Sequence, residues 1–487
     1  MESMLNLLPK NVFCYFDDIC KIPRPSKKEE KIVAYLIDFA EKHSLEYKKD
    51  EVGNVLIFKP ATKGMEKVKT VVLQSHVDMV GEKNDGVVHD FENDPIVPYI
   101  EDGWVKAMGT TLGADCGIGM AAMLAALADE EIKHGALECL FTVDEETGLT
   151  GAKALPKKFF SGKILINLDS EDDGELFIGC AGGIDTTIRL TYTTEPVPSD
   201  YVGYKLSIKG LLGGHSGDDI NKGRPNAIKL LNRFLWRMSM KYDFRINAYE
   251  GGNLRNAIPR EASAIFCISS DLVSKILKNY SNFRRHLEDE YRHVEKEMQI
   301  EFVKVETPHH VIDEISQLDL LAAIQACPSG VIAMSTKIDG LVETSTNLAS
   351  VKFVHGREAL ITTSQRSSIK SKLYDAVDTV KSLFSLTSAR VTTSNAYPGW
   401  EPDTNSEILG ITKNVYKKLF NEEPKVKAVH AGLECGLFSE KYPALDMISF
   451  GPTIKDVHSP GEKLEITTVN KFWTLLKNVL AEIPVQE

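Results

Sequence analysis

Val68-Lys-Thr-Val-Val-Leu-Gln74 runs directly into Ser75-His76-Val77-Asp78, and this stretch decides the class of fold. Two further short apolar runs, Leu137 to Val143 and Lys163 to Leu168, also lead into acidic residues. An apolar stretch of helical length, Gly117 to Ala128, lies between the first strand and the second. Short apolar strands separated by helices are typical of a largely parallel sheet in an α/β protein. We therefore predict an α/β domain whose mostly parallel sheet carries helices on both faces.

This pattern changes at about residue 183 and returns after about residue 394. Period-two strands are predicted between those points at 204–208, 261–269, 349–354 and 359–363, with His355-Gly356 as the turn of a hairpin and a long charged helix at 271–299. We therefore predict that a catalytic domain in two parts, 1–182 and 395–487, is interrupted by an α+β lid domain at 183–394. Near the amino end, Ser26-Lys-Lys-Glu29 predicts a capping box that opens a helix running to about His43.

Composition excludes several classes of function. Lys and Arg total 57 and Asp and Glu total 69, so the formal net charge of the 487 residues is −12. An acidic chain without a basic block is a poor candidate for binding nucleic acid or an anionic membrane. The longest apolar run, 120–128, is much shorter than the ~20 residues of a membrane span. Eight cysteines without a C-x-x-C pair indicate reduced thiols, so we expect a cytoplasmic protein.

Imidazoles and carboxylates follow the predicted strands at one edge of the sheet. The candidates are His76, Asp115, Glu146, Asp169 and His458. Sites in α/β sheets form beyond the carboxyl ends of the strands. Mixed His and carboxylate ligands suit zinc, and also manganese or cobalt. If one carboxylate bridges, five ligands supply three each to two metal ions and leave room for a shared water.

Two neighbouring acids complete this candidate site. Asp78 lies two residues after His76, on the same side of an extended strand, and can accept a hydrogen bond from the ring nitrogen that does not bind metal. Glu145 adjoins Glu146, and adjacent side chains diverge in extended backbone. One of the two glutamates can therefore bind metal while the other faces the substrate as a general base.

The sequence lacks the motifs of several other enzyme classes. Gly214-His-Ser-Gly217 superficially resembles a serine elbow, but Asp218 stands where G-x-S-x-G requires its second glycine. Neither a G-x-x-x-x-G-K-[ST] loop nor an H-E-x-x-H motif occurs.

The motifs together resemble one enzyme family. They are Ser75-His-Val-Asp78, Gly113-Ala-Asp115, Asp144-Glu-Glu-Thr-Gly148, Asn167-Leu-Asp-Ser-Glu171 and His458-Ser-Pro-Gly-Glu462. This set is similar to the successive signatures of the dinuclear zinc metallopeptidases that include aminoacylase, carnosinase and glutamate carboxypeptidase. Further motifs resemble those of a dipeptidase branch of that family. They are Ile22-Pro-Arg-Pro-Ser26, Gly210-Leu-Leu-Gly-Gly-His-Ser-Gly217, Gly251-Gly-Asn-Leu-Arg-Asn-Ala-Ile-Pro259, Arg366-Ser-Ser368 and His430-Ala-Gly-Leu-Glu-Cys-Gly436.

The resemblance implies a fold, an activity and a ligand set. The fold is that of a zinc peptidase with an inserted lid, and the activity is hydrolysis of unblocked dipeptides, Xaa-His among them. Two divalent ions, zinc first and cobalt or manganese otherwise, are implied, with Asp115 bridging. His76 and Asp169 complete one ligand set, and Glu146 and His458 complete the other. Glu145 then serves as general base and acid, and a cis peptide is implied after Asp115.

Substrate contacts follow from the resemblance and from chemistry. His215 and Asn256 are expected near the oxyanion, Arg366 at the substrate carboxylate and Glu434 at its free amine. A small peptide is the expected partner, with a homodimer as a further expectation. Two alternatives stay open: a deacylase acting on N-acyl amino acids with the same metal ligands, and a non-catalytic binding protein on this fold.

Overall fold

The computed structural model describes residues 3–354 and 357–486. This part of the chain forms two compact units. The first comprises the described residues of Met1–Gly179, Trp400–Ala428 and Leu433–Glu487, and the second comprises those of Cys180–Gly399 and Val429–Gly432. Within the described ranges, no helix has the length and apolar character needed to cross a membrane. That 183–394 acts as a lid stays a prediction.

The elements up to Cys180 alternate helices with short strands. The helices are α1 (Lys10–Cys20), α2 (Glu30–Lys42), α3 (Ala114–Ala128), α4 (Glu145–Gly148) and α5 (Thr150–Ala154), after a 3₁₀ turn at Met4–Asn6. The strands are β1 (Tyr47–Lys49), β2 (Val55–Lys59), β3 (Val71–His76), β4 (Pro98–Glu101), β5 (Trp104–Ala107), β6 (Leu137–Thr142), β7 (Ile164–Asn167) and β8 (Glu175–Cys180).

Strands dominate the next segment. They are β9 (Gly182–Thr191), β10 (Thr194–Pro196), β11 (Tyr201–Lys209), β12 (Gly214–His215), β13 (Phe244–Gly251), β14 (Ala257–Ile258), β15 (Ala262–Ser269), β16 (Gln299–Val305), β17 (His310–Ile312), β18 (Gly330–Met334), β19 (Val342–Val354), β20 (Glu358–Ser367) and β21 (Arg390–Tyr397). The helices are α6 (Ala227–Ser239), α7 (Val273–Tyr291), α8 (Glu314–Ala326) and α9 (Lys370–Phe384), with a 3₁₀ turn at Ser270–Leu272.

The α/β pattern then returns. Its helices are α10 (Glu407–Phe420), α11 (Glu434–Lys441) and α12 (Ile466–Ala481). Its strands are β22 (Lys425–Val429), β23 (Asp446–Ser449), β24 (Ile454–Lys455) and β25 (Lys463–Glu465).

The main sheet of the first unit is parallel at its centre. Its strand order is β1-β2-β6-β3-β7-β23-β8-β22. The neighbours β6, β3, β7 and β23 pair in parallel, whereas β1 with β2, β2 with β6 and β23 with β8 are antiparallel. The central strands β3, β6 and β7 are buried along their whole length, which explains their continuous apolar runs. Their carboxyl ends lie at one edge, which confirms the predicted α/β class.

Helix α3 is the buried helix of this unit. Nearly every residue from Ala114 to Leu127 is buried, so the helix is apolar on all sides as a core helix must be. Its first turn is irregular, because Asp115 and Cys116 have non-helical dihedral angles. This turn brings Asp115 to the edge where the parallel strands end.

The predicted capping box at Ser26 is wrong. Helix α2 begins at Glu30 without a side-chain cap. The Ser26 hydroxyl donates instead to Asp78 Oδ2 at 2.8 Å. Glu29 Oε1 accepts the N–H groups of Lys27 and Asp144 at 2.7 and 3.1 Å. Ser26 and Glu29 therefore do not bond to each other: each bonds to a group distant in sequence, and Glu29 also accepts the N–H of its near neighbour Lys27.

An antiparallel sheet forms the frame of the second unit. Its order is β16-β11-β15-β13-β19-β20-β9-β21, with β18 also paired to β19. The predicted hairpin strands pair as β19 and β20, and its turn at His355-Gly356 lies outside the described residues. The predicted charged helix is too long, since α7 ends at Tyr291 and residues from Gln299 pair with β11. Apolar residues of α6, among them Leu231, Phe234 and Leu235, pack into the core of this unit.

Candidate metal centre

The first unit gathers all five predicted metal ligands at the carboxyl edge of its sheet. His76 is the last residue of β3, Glu146 lies in α4 just beyond β6, and Asp169 follows β7 by two residues. Asp115 lies in the irregular first turn of α3. His458 lies in the loop between β24 and β25, with a left-handed φ of 58°. Each side chain therefore comes from the end of an element or from a loop.

The two oxygens of Asp115 face different partners. Oδ1 lies 3.1 Å from His76 Nε2, and that same nitrogen lies 3.2 Å from Asp169 Oδ1. Oδ2 lies 3.1 Å from His458 Nε2, which lies 3.0 Å from Glu146 Oε2. The site thus consists of two half-sites that share Asp115, and each half-site offers one imidazole and two carboxylates.

This donor set fits two divalent metal ions. The Nε2 atom of each imidazole lies near two carboxylate oxygens. A ring nitrogen carries at most one hydrogen, so it cannot donate fully to both oxygens. A divalent ion in each half-site would take all three donors at once. Glu146 Oε1 is buried and has no hydrogen-bond partner among the described residues, as expected of a ligand oxygen. Nitrogen and oxygen donors in this mixture suit zinc and other first-row divalent ions.

Asp78 contacts His76 through its backbone carbonyl as well as through the carboxylate that the sequence predicted. His76 Nδ1 lies 3.1 Å from the backbone carbonyl of Asp78 and 3.4 Å from its carboxylate Oδ1. The carboxylate also accepts the backbone N–H groups of Glu145 and Glu146, at 3.0 and 3.2 Å. Burial would raise the pKa of Asp78, but His76, the Glu145 N–H and Ser26 lower it to about 2. Asp78 therefore orients both His76 and the backbone that carries the two glutamates.

We expect Asp78→Asn to reduce metal affinity or turnover by ~10–100-fold, as is typical when a partner of metal ligands is removed. The amide keeps the shape but replaces one acceptor oxygen with a donor that faces N–H or O–H groups. Metal titration of the apoprotein, with kcat measured at saturating metal, checks this. A variant with native metal affinity and native kcat would show that Asp78 does not position the site.

The charged neighbours shift the pKa values of both imidazoles upward. Burial lowers the pKa of His76, but the carboxylates of Asp169, Asp115 and Asp78 outweigh burial and raise it well above its usual value. Hydrogen bonds to Asp115 and Glu146 raise the pKa of His458 to about 11. Protons and metal ions therefore compete for the same nitrogens.

Glu145 lies beside the two half-sites. One of its carboxylate oxygens is within 4.8 Å of donor atoms of His76 and Glu146. Burial raises the pKa of Glu145 well above its usual value; His76 opposes this shift, and Asp169, Glu434 and Glu146 add to it. A raised pKa makes the carboxylate a stronger proton acceptor, which suits a group that accepts a proton and then returns it.

Glu434 is fully buried in a polar network of the first unit. Its Oε2 accepts hydrogen bonds from Gln74 Nε2 at 2.6 Å and Thr142 Oγ1 at 2.7 Å. Gln74 Oε1 in turn accepts from Asn167 Nδ2 at 2.6 Å. Burial raises the pKa of Glu434 to about 8. Its Oε1 is also buried and has no hydrogen-bond partner among residues 3–354 and 357–486.

The other predicted substrate-binding residues belong to the second unit. Arg366 Nη1 donates to Tyr397 Oη at 3.0 Å, and its Nη2 lies 3.5 Å from His215 Nε2. His215 Nδ1 lies 3.1 Å from Asp218 Oδ2, and this contact lowers the pKa of Asp218. The short strands β12 and β14 pair His215 with Ala257, and the Ser216 N–H donates to the Asn256 carbonyl at 2.7 Å. The structure thus brings His215, Arg366 and the segment of Asn256 together.

Sequence reasoning assigned no role to several residues around the site. The Cys116 sulfur lies near donor atoms of His76 and Asp169. Burial raises the pKa of this thiol and so disfavours the thiolate that would bind a metal, and the thiol donates to the Leu168 carbonyl at 3.2 Å.

The implied cis peptide is present at Asp115–Cys116. Arg24 and Glu462 bind the backbone near Asp115. Both stand in quoted motifs, but nothing local indicates their partners.

Comparison with known families accounts for most of the chain. Residues 72–482 match the model of peptidase family M20/M25/M40. The chain belongs to this family. It is therefore a peptidase-family protein, and its five predicted ligand residues converge on one site of the first unit.

Similar proteins span its whole length. The chain is 44% identical over 489 residues to the cytosol non-specific dipeptidase of Escherichia coli K12, with all of both chains covered. It resembles the crystal structure of aminoacylhistidine dipeptidase from Vibrio alginolyticus with a TM-score of 0.93 and 43% identity, over 100% of this chain and 99% of that one. Aminopeptidase PepT of Bacillus cereus shares the fold at 18% identity and a TM-score of 0.58, with 98% and 99% of the two chains covered.

Proposed function

We propose that this protein is a metal-dependent dipeptidase that hydrolyses unblocked dipeptides, Xaa-His among them. The observation that carries the proposal is the divided carboxylate of Asp115, which presents one oxygen to each half-site while Glu145 lies beside both. Full-length similarity to the Escherichia coli dipeptidase and to the Vibrio aminoacylhistidine dipeptidase supports the substrate class. We also propose the cytosol as its compartment, as named for the Escherichia coli relative.

His76, Asp115 and Asp169 would hold one ion, and Asp115, Glu146 and His458 the other, with zinc proposed first and cobalt or manganese next. When bound, the ions supply Lewis-acid polarisation of the peptide carbonyl and lower the pKa of water. Glu145 accepts the proton of the attacking water on its carboxylate and returns it to the leaving amine. Its backbone N–H, held by Asp78 at 3.0 Å, orients the residue for both transfers.

Substrate recognition is proposed for groups of complementary charge. The unpartnered Oε1 of Glu434 suits the free ammonium of a dipeptide. Arg366 suits the carboxylate, since a guanidinium can pair with it through two hydrogen bonds. His215 and Asn256 are proposed as donors to the oxyanion. A homodimer is a further proposal that rests on the family resemblance alone.

A matched substrate set tests the proposed activity. We expect the metal-loaded protein to hydrolyse an Xaa-His dipeptide with a kcat/KM far above that for the tripeptide extended by one residue, because both termini of a dipeptide are recognised. N-acetyl-histidine and the N-acetylated dipeptide serve as blocked controls. Preferential release of acetate from the blocked controls would indicate a deacylase instead of a dipeptidase. If none of these compounds is hydrolysed, the result would indicate a non-catalytic binding protein. Equal cleavage of tripeptides would contradict recognition of both termini.

A further inference from the structure

The segment 112–115 presents Asp115 to both half-sites and has an unusual backbone. It includes the first two residues of α3, and Gly113 at the N-cap position supplies no side-chain cap and has a left-handed φ of 68°. The first N–H groups of a helix have no partner within the helix and need acceptors from elsewhere. In a buried segment, acceptors other than solvent must supply these bonds.

Glu462 supplies those acceptors. Its Oε2 accepts the N–H groups of Leu112 and Gly113 at 2.8 and 2.9 Å, and its Oε1 accepts those of Ala114 and Asp115 at 2.8 and 3.4 Å. Only 3% of Glu462 is exposed. Because Glu462 follows His458 by four residues, one loop holds the backbone of 112–115 and also brings an imidazole to Asp115 Oδ2.

Arg24 binds the carbonyl groups of the same region. Its Nη1 donates to the carbonyls of Val77 and Asp78 at 2.9 Å each, and its Nη2 donates to the carbonyl of Gly113. The guanidinium thereby joins the end of β3, which carries His76, to the segment that carries Asp115. Arg24 is 1% exposed.

Two glycines make room for this guanidinium. A Cβ atom at Gly113 would lie 2.6 Å from Arg24 Nη2, and one at Gly117 would lie 2.7 Å from it. Any residue larger than glycine at position 113 or 117 would therefore clash with the Arg24 guanidinium.

We propose that Arg24 and Glu462 are positioning residues that hold the 112–115 backbone by its carbonyl and N–H groups and thereby set the orientation of the Asp115 carboxylate. The inference rests on the proposed metal site and adds two residues outside its ligand set. A small rotation of Asp115 changes the donor geometry of both half-sites at once, because each takes one of its oxygens. Loss of either positioning residue therefore weakens metal binding as well as folding.

Glu138 provides a matched control in the same unit. It is also a buried carboxylate, and it accepts the Ser161 and Gly162 N–H groups and the Ser161 hydroxyl at 2.7–3.0 Å. It lies near the start of β6, whereas the metal centre lies beyond the end of that strand. Glu138→Gln and Glu462→Gln each place an amide group against buried backbone N–H groups, so both destabilise the fold. Only Glu462→Gln is expected to change the metal centre.

The test titrates metal-free native protein, Glu462→Gln, Glu138→Gln and Arg24→Lys with Co²⁺ alone. Binding is followed by calorimetry and by the visible absorption bands of the ion, and thermal midpoints of the metal-free proteins are recorded. We expect Glu462→Gln and Arg24→Lys to bind at least one Co²⁺ ~10–100-fold more weakly than native protein, with altered absorption bands. Arg24→Lys retains charge but loses the planar fork that reaches three carbonyls. We expect Glu138→Gln to bind Co²⁺ as native protein does.

Each outcome decides the proposal. Native Co²⁺ affinity and spectrum in Glu462→Gln, or equal weakening in Glu138→Gln, would overturn it. If Glu462→Gln does not fold, Arg24→Lys decides by the same criteria against Glu138→Gln. Failure of the native protein itself to bind two ions per chain would instead refute the proposed two-metal centre, and this result is separate from the behaviour of the variants.

Discussion

Glu145→Gln should lose turnover by at least ~10²–10⁴-fold, the usual contribution of a general base, while both metal ions remain bound. The amide has the size of the carboxyl group but cannot accept the proton of the attacking water or return it to the leaving amine. Its backbone N–H still donates to Asp78, so the local structure should persist. Steady-state kcat and metal content, measured on the same preparation, check this result.

The adjacent glutamate supplies the control for that experiment. Glu146 Oε2 lies 3.0 Å from His458 Nε2 in the half-site that these two residues share with Asp115. We therefore expect Glu146→Gln to reduce turnover through loss of a metal ion and not through loss of the general base. Excess metal should partly restore the Glu146→Gln variant and should leave Glu145→Gln inactive. A Glu145→Gln variant with near-native kcat would show that another group acts as the base.

Removal of metal should abolish activity, and reloading should become harder as pH falls. Two ions per chain are expected in the active protein, since the half-sites share only Asp115. Both imidazoles have raised pKa values, about 11 for His458. Because a proton and a metal ion compete for the same ring nitrogen, a fall in pH lowers metal affinity, and metal binding releases protons.

Calorimetry of metal binding in two buffers that differ in ionisation enthalpy measures those protons directly. Dialysis against a chelator, followed by elemental analysis and by activity on restoring zinc, measures the stoichiometry. A single tightly bound ion with full activity, or a metal affinity that does not change between pH 6 and 8, would contradict the arrangement of two half-sites.

The sequence by itself determined the class of fold and that His76, Glu146 and Asp169 lie near one edge of the sheet. A short apolar run that ends at or just before His76, Asp144 or Asp169 is a local pattern, and in a parallel sheet such ends meet at one edge. The burial of β3, β6 and β7 along their length follows from the same continuous apolar runs. For these reasons the α/β class, and the meeting of His76, Glu146 and Asp169 at one edge of the sheet, were predictable without a tertiary structure.

Only the tertiary structure decided which partners the buried charged and polar groups take. Ser26 and Glu29 were matched to each other by their spacing, yet the Ser26 hydroxyl donates to Asp78, and Glu29 accepts the distant Asp144 N–H besides that of its neighbour Lys27. Glu462 binds N–H groups almost 350 positions earlier in the chain. A buried polar group must find a partner wherever the packed chain offers one. Residue spacing describes only neighbours within a few positions, so it carries no information about such a partner.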